Sequence, residues 1–331
     1  QSEHGMVLRD NVYGNLEEDA IRRDFTVNAL YYNIADFSIV DFVNGLDDLK
    51  HHTLRLIGDP ETRYREDPVR MLRAARFAAK LDFDIEPNTR EPILKLGSLL
   101  LNVSNARLWD ECSKVFLTGH GYDSFMQLKE LKLLDVLLPS TAKALAKQPA
   151  WQAMFARALD NTDERIAEEK GVNPAFLFAV FLWPALQDNL AKRLAKGQHP
   201  SPAMQGAAND VLDAQNSIVS IAKRFSLVIR EMWSLQHRFE SRTPARVEKL
   251  MAHPRFRAAY DLLCLRAETE TDQAELAQWW TDYQEASDEQ KLALIKSIPK
   301  ENNEAKSGSG KSTKRPRRRA ASPKRNAKPT S

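Results

Sequence analysis

Apolar and polar positions follow two rhythms along this chain, and the change of rhythm divides it. Up to about Leu49, short apolar runs alternate with turn residues: "SIVDFV", Ser38 to Val43, reads as a strand, and "NGLDDL" after it as a glycine-containing turn. After "RLIGDPETRY" nearly everything has helical spacing, with breaks expected at Pro87, Pro92, Pro139, Pro174, Pro200 and Pro244. "PAFLFAVFLWPAL", from Pro174, is apolar on every side yet well short of a bilayer crossing, so it predicts a buried helix. Trp279 and Trp280 in "AQWWTDYQ" fall at helical spacing and are expected in a core rather than as base-stacking residues. No fixed-length repeat is present.

The best specified helix is "REDPVRMLRAARFAAKL", Arg65 to Leu81. Asp67 suits its N-cap and Pro68 its first helical position. Val69, Leu72, Ala75 and Ala79 supply packing on one side, while Arg70, Arg73 and Arg76 form a slowly turning cationic row with Asp67 at its head. Two readings compete for that row. Solvated arginines on a surface helix would make ion pairs worth under ~1 kcal/mol each. Lining a cleft, the same planar forks would meet a base and phosphate oxygens, at roughly 1.5 to 3 kcal/mol per charge-assisted bond.

A second arginine-rich segment, "IRRDFTVNAL" from Ile21, raises a related question, because a helix gains little from paired cations at its positive end. The acids just before it, Glu17, Glu18 and Asp19, read as helix-favouring capping residues rather than metal ligands. Asp47 and Asp48 in "NGLDDL" read as turn residues.

Composition narrows the function classes. With 331 residues, 43% hydrophobic and 28% charged, the chain has material for one large or two ordinary globular domains. Cys112 and Cys264 lie far apart without CxxC, and the seven histidines show no ligand spacing, so neither a disulfide framework nor a zinc site is indicated. A cytoplasmic setting fits, with no secretory leader in view. The chain opens on Gln within what reads as a polar loop, which suggests a fragment.

The net charge of +3 hides an asymmetry, because from Glu301 onward ten Lys/Arg face two Glu. From about Ser297 few apolar residues remain to offset the cost of ordering the backbone, so a disordered basic tail is expected over 297–331. Its cations, among them Lys314, Arg315, Arg317, Arg318, Arg319, Lys324 and Arg325, suit sequence-blind binding of single-stranded RNA by counterion release. "SGSGKST" within it is no phosphate loop, since Ala305 stands where the pattern needs Gly and no strand or helix flanks it.

Taken together, "RRDFTVNAL", "NGLDDL" and "EDPVRMLRAARF" resemble the second, third and fourth motifs of the nucleotidyltransferase superfamily that contains CCA-adding enzymes and bacterial poly(A) polymerases. The poly(A) polymerase branch is the more similar, through "ALYYNIADF", "RFAAKLDFDIEP", "ARLWDECSKVF", "KLLDVLLP", "VNPAFLFAVFLWP" and "HPRFRAAYDLLCLRAE", over roughly residues 6 to 285. The resemblance implies an α+β remnant of a nucleotidyltransferase head over 1–50, neck helices with a nucleotide-recognition motif over 51–120, a mostly α-helical RNA-binding body over 121–296, and the tail.

It further implies that Asp24 is a catalytic-site carboxylate and that Arg23 contacts the nucleotide, with Asn28 ordering the same region. Asp67 and Arg70 match positions that read the incoming base or shape its pocket, and Arg73 and Arg76 match positions that contact nucleotide or phosphate. The implied activity is addition of AMP from ATP to RNA 3′ ends, a tail that marks RNA for decay, with RNA-decay proteins as further partners. CCA addition to tRNA is the alternative within the superfamily, and a non-enzymatic RNA-binding protein the alternative of another class. The family's first motif, a Gly-Gly-x-x-Arg-Asp loop followed by Asp-x-Asp, is absent; "VLRD" at Val7 does not supply it. Those aspartates hold the Mg²⁺ or Mn²⁺ of the full-length enzyme, so no metal ligand is expected in this chain, which as it stands is expected to be inactive.

Overall fold

A computed structural model describes residues 15–298; the tail cations Lys314 to Arg325 lie outside the described residues. The Asn15 side chain accepts from the Glu18 amide and the Glu18 carboxylate from the Asn15 amide, a reciprocal cap that starts helix α1 (Leu16–Arg22). Chain extension at Arg23 ends it, and Phe25 then bridges Leu56. After one 3₁₀ turn, Thr26–Asn28, an antiparallel hairpin pairs β1 (Leu30–Tyr32) with β2 (Ile39–Asp41), Tyr31 lying opposite Val40. The strand expected over 38–43 is thus present in its central three residues.

"NGLDDL" corrects the expectation of a turn: it forms a short helix, α2 (Gly45–Lys50). The Asp41 carboxylate organises it, accepting from the amides of Val43 and Gly45 at 3.0 Å and Leu46 at 2.9 Å. Asn44 takes the left-handed conformation at φ 65°, and a Cβ on Gly45 would stand 2.3 Å from the Thr26 carbonyl oxygen. Asp48 is not a turn residue either; it is buried, accepting from the Thr26 hydroxyl at 2.7 Å and pairing with Arg55 at 3.1 Å.

The next stretch holds two parallel strands of two residues each that helical spacing conceals, β3 (Thr53–Leu54) and β4 (Asp84–Ile85). Between them run α3 (Pro60–Glu66), capped by Asp59, and α4 (Val69–Leu81). Asp67 therefore closes α3 instead of capping α4, which begins one residue later than expected. The apolar side of α4 is as anticipated: Val69, Leu72, Ala75 and Ala79 are buried, together with Met71, Ala74 and Ala78. With both flanks of the helix enclosed, the arginine row occupies the strip between them.

Past α5 (Pro87–Leu96) the described chain is helical: α6 (Asn105–Phe116), α7 (Gly121–Glu130), α8 (Leu133–Leu137), α9 (Pro139–Lys147), α10 (Trp151–Ala167), α11 (Pro174–Phe181), α12 (Trp183–Ala195), α13 (Pro200–Asn216), α14 (Lys223–Gln236), α15 (Pro244–Met251), α16 (Phe256–Ala267), α17 (Ala274–Glu285) and α18 (Asp288–Lys296). Pro87, Pro139, Pro174, Pro200 and Pro244 each stand first in a helix, where a missing N–H costs nothing. Pro92 is the exception and lies inside α5. The α+β head piece and helical remainder match the fold class expected from the resemblance.

Two cores hold this body. The larger runs from Phe25 through α4 to α11 and α14; Phe181 packs edge-on to Phe155 at 5.5 Å and stacks on Phe125 at 5.7 Å. No helix among the described residues is long and apolar enough to cross a membrane. The smaller core joins Leu235, Phe239, Val247 and Phe256 to Trp279 and Trp280, both buried as expected. Between the cores Arg266 lies over the Trp183 ring, donates to Gln236 at 3.0 Å and pairs with Glu270 at 2.7 Å, while Trp183 Nε1 donates to Glu270 at 2.8 Å. Every member is hydrogen-bonded, which makes the enclosed charge tolerable.

Candidate functional site

The two arginine-rich segments, 46 residues apart in sequence, meet. Extension of the chain after α1 places the Asp24 carboxylate against α4, where Arg70 Nε donates to Oδ1 at 2.9 Å and Arg73 NH1 pairs with Oδ2 at 2.8 Å. The side chains of Asp24 and Arg70 are only 12% and 13% exposed, that of Arg73 37%, so these bonds are partly shielded from water and stronger than surface pairs. The Phe25–Leu56 bridge fixes the approach: the Ile57 amide donates to the Asp24 carbonyl at 2.9 Å and the Thr26 amide to Arg55 at 3.0 Å.

Arg63, which sequence reasoning missed, completes the arrangement. Its guanidinium donates to the carbonyls of Arg22 and Arg23 at 3.2 and 2.8 Å, at the negative end of α1, while Arg70 NH1 donates to the Arg63 carbonyl at 2.8 Å. Glu66 lies beside both, 3.4 Å from Arg63 and 3.3 Å from Arg70. No local signal marks Arg63, since its partners lie 40 and 41 positions earlier.

Arg76 extends the row without an ion pair among the described residues. Its guanidinium lies over Phe77 at 4.6 Å, and Phe77 packs edge-on to Phe25. Burial lowers its pKa, with Glu111 acting upward and Arg73 downward. Two carboxylates, Asp24 and Glu66, thus pair with three guanidiniums, those of Arg63, Arg70 and Arg73, while Arg76 has Glu111 acting on it from farther off. An arginine row in which cations outnumber their paired carboxylates is chemistry suited to a polyanion.

Other expected site residues stand apart. The Arg23 side chain turns to Asp19 at 3.1 Å and the Tyr31 hydroxyl at 3.2 Å, and Tyr31 donates to Asp19 at 2.7 Å. The Tyr31 hydroxyl, then Arg23, hold the Asp19 carboxyl below its ordinary pKa. Asn28 is exposed, and it is its carbonyl that meets Arg23, at 3.4 Å. Arg22 is exposed too. Asp67 Oδ2 pairs with Arg107 of α6 at 2.7 Å while Oδ1 accepts from the Val69 amide at 3.3 Å.

A divalent metal does not fit the carboxylate present here. Both Asp24 oxygens already face guanidinium nitrogens, and among the described residues no group of three or more His, Cys, Asp or Glu could hold an ion. The geometry makes Asp24 an anchor for arginines.

Comparison with known proteins adds lineage to this geometry. Residues 2–55 match the poly A polymerase head domain, residues 82–145 the probable RNA and SrmB-binding site of polymerase A, and residues 196–322 the polymerase A arginine-rich C-terminus. Poly(A) polymerase I of Salmonella typhimurium is 45% identical over 304 residues, covering 90% of this chain and 65% of that protein. Poly(A) polymerase I of Escherichia coli O157:H7 is 43% identical over 326 residues, covering 97% of this chain and 69% of that protein. The chain therefore spans about two thirds of the length of these relatives. The CCA-adding enzyme of Lactobacillus helveticus is 36% identical over 148 residues, or 45% of this chain and 37% of that enzyme. A CCA-adding enzyme solved with ATP shares the fold at TM-score 0.56 and 19% identity, over 86% of this chain and 64% of that one.

Proposed function

Because the chain belongs to the poly(A) polymerase family of nucleotidyltransferases, we propose that it serves template-independent addition of AMP from ATP to RNA 3′ ends. Pyrophosphate leaves as the 3′ hydroxyl attacks. The observation that carries this reading is the meeting of Asp24 with Arg70 and Arg73, which joins two of the family's motifs into one arginine-rich cluster.

Within that reading the guanidiniums of Arg73 and Arg76 hold phosphate oxygens, and Asp24 is a positioning residue that fixes Arg70 and Arg73 before ATP arrives, so less order is lost on binding. Asp67 and Arg70 shape the base pocket, and Arg23 and Asn28 flank the entry. A divalent ion, Mg²⁺ or Mn²⁺, would be held by residues other than those described. Residues 1–50 act as head, 51–120 as neck, 121–296 as RNA-binding body, and the cations of 297–331 as an RNA-holding arm. The setting is the cytoplasm, and proteins of RNA decay act on the tailed product.

Incorporation of labelled ATP and of CTP by the whole protein, on an unstructured RNA and on tRNA lacking its CCA end, tests the reading. ATP is expected on both RNAs with little CTP. Strong CTP incorporation on the tRNA would assign CCA addition instead.

A further inference from the structure

A cationic cleft lies in the helical body, outside the second, third and fourth motifs and lined in part by the stretches "VNPAFLFAVFLWP" and "HPRFRAAYDLLCLRAE". It has a volume of about 520 Å³ and opens where α10, α11 with the chain leading into it, α14 and α16 converge. That is the size range of small-molecule sites. Four arginines line it, Arg157, Arg165, Arg255 and Arg257, against two acids, Asp261 and Glu268.

The arginines are not equivalent. Arg255 is committed to Glu231 at 3.0 Å, Arg257 to Asp261 at 3.0 Å, and Arg165 donates to the Gly171 carbonyl at 3.0 Å. Arg157 is exposed and has no hydrogen-bond or ion-pair partner among the described residues. Its charge is uncommitted, on the edge of a concave site whose other arginines are held in place. Burial pushes the Asp261 carboxyl above its ordinary pKa, with Arg257 and Arg165 pulling it back. The half-buried ring of Phe176 and the side chain of Val228 give the same cleft an apolar wall.

A free guanidinium beside an aromatic wall meets the two halves of a nucleotide, a phosphate oxygen and a π-face. We propose that this cleft holds one nucleotide unit of single-stranded RNA, with its phosphate at Arg157 and its base against Phe176. The ligand class rests on the polyadenylation reading above; the existence of the cleft and its free cation do not. A strand held at this point is anchored away from the reacting end, so the RNA stays bound through more than one addition.

The test uses the chain of 331 residues and a fluorescein-labelled 15-nucleotide oligo(A), with anisotropy read over a salt series. Arg157→Glu is expected to weaken binding about tenfold, the scale of one charge-assisted bond, and to make the slope of log affinity against log salt shallower by about 0.7. Arg157→Lys should bind nearly as the parent does, and an unchanged melting temperature is expected because the residue is exposed and unpaired. Lys192→Glu, an equal charge change at an exposed position of α12, controls for net charge. Parental affinity and slope in Arg157→Glu, or an equal loss in Lys192→Glu, would overturn the subsite and leave the polyadenylation reading standing. AMP saturating a site that Arg157→Glu abolishes would overturn the assignment to an RNA strand in favour of a free nucleotide. No binding of oligo(A) by the parent chain would overturn both this inference and the reading beneath it.

Discussion

Asp24 does for this chain what a template does for a casting: its two oxygens set the directions of Arg70 and Arg73. Removing that charge leaves two guanidiniums facing an amide in a site largely closed to water. Asp24→Asn is therefore expected to destabilise the chain by about 3 kcal/mol in urea denaturation, the scale for stranding one side of a shielded pair. Arg73→Ala should cost less stability, because that side chain is 37% exposed and Asp24 keeps Arg70. A loss in Asp24→Asn no larger than in Arg73→Ala would show that Asp24 anchors nothing.

At the scale of elements, the head piece depends on one close approach. Gly45 starts α2 against the Thr26 carbonyl, 2.3 Å from where a Cβ would stand, and the 3₁₀ turn carrying Thr26 leads directly from Asp24. Gly45→Ala should therefore cost roughly 1 to 3 kcal/mol by forcing backbone apart, with Asn44→Gly nearly neutral because φ 65° suits glycine. Equal melting temperatures for Gly45→Ala and the parent would refute the contact. This approach also shows where the sequence was readable. The packing side of α4 and the prolines that open five helices follow from periodicity and from the missing N–H of proline. Helix α2 did not, since it is set by three amides converging on Asp41, a local side-chain cap two to five residues away that leaves no hydrophobic period to detect. Strands β3 and β4 are too short to show alternation, and the switch of Asp67 from cap to partner of Arg107 depends on a residue 40 positions away. The meeting of Asp24 with Arg70 and Arg73 could be suspected from the paired motifs; the divergence of Arg23 toward Tyr31 could not.

For the whole molecule, the notable division is between the two larger hydrophobic cores, joined by the polar seam of Arg266, Glu270, Trp183 and Gln236. A seam of hydrogen bonds resists shear while intact, but once water enters, each of its bonds can be exchanged for one to solvent, whereas the apolar contacts on either side cannot. Opening should then proceed by parts. Amide protons of α15 and α17, in the smaller core, are expected to exchange with solvent deuterium before those of α11, which is buried nearly throughout. One exchange rate shared by all three helices under native conditions would contradict this. The seam thus gives the chain a built-in order of disassembly: the end that carries the basic tail loosens first, while the helices around Asp24, Arg70 and Arg73 keep their geometry.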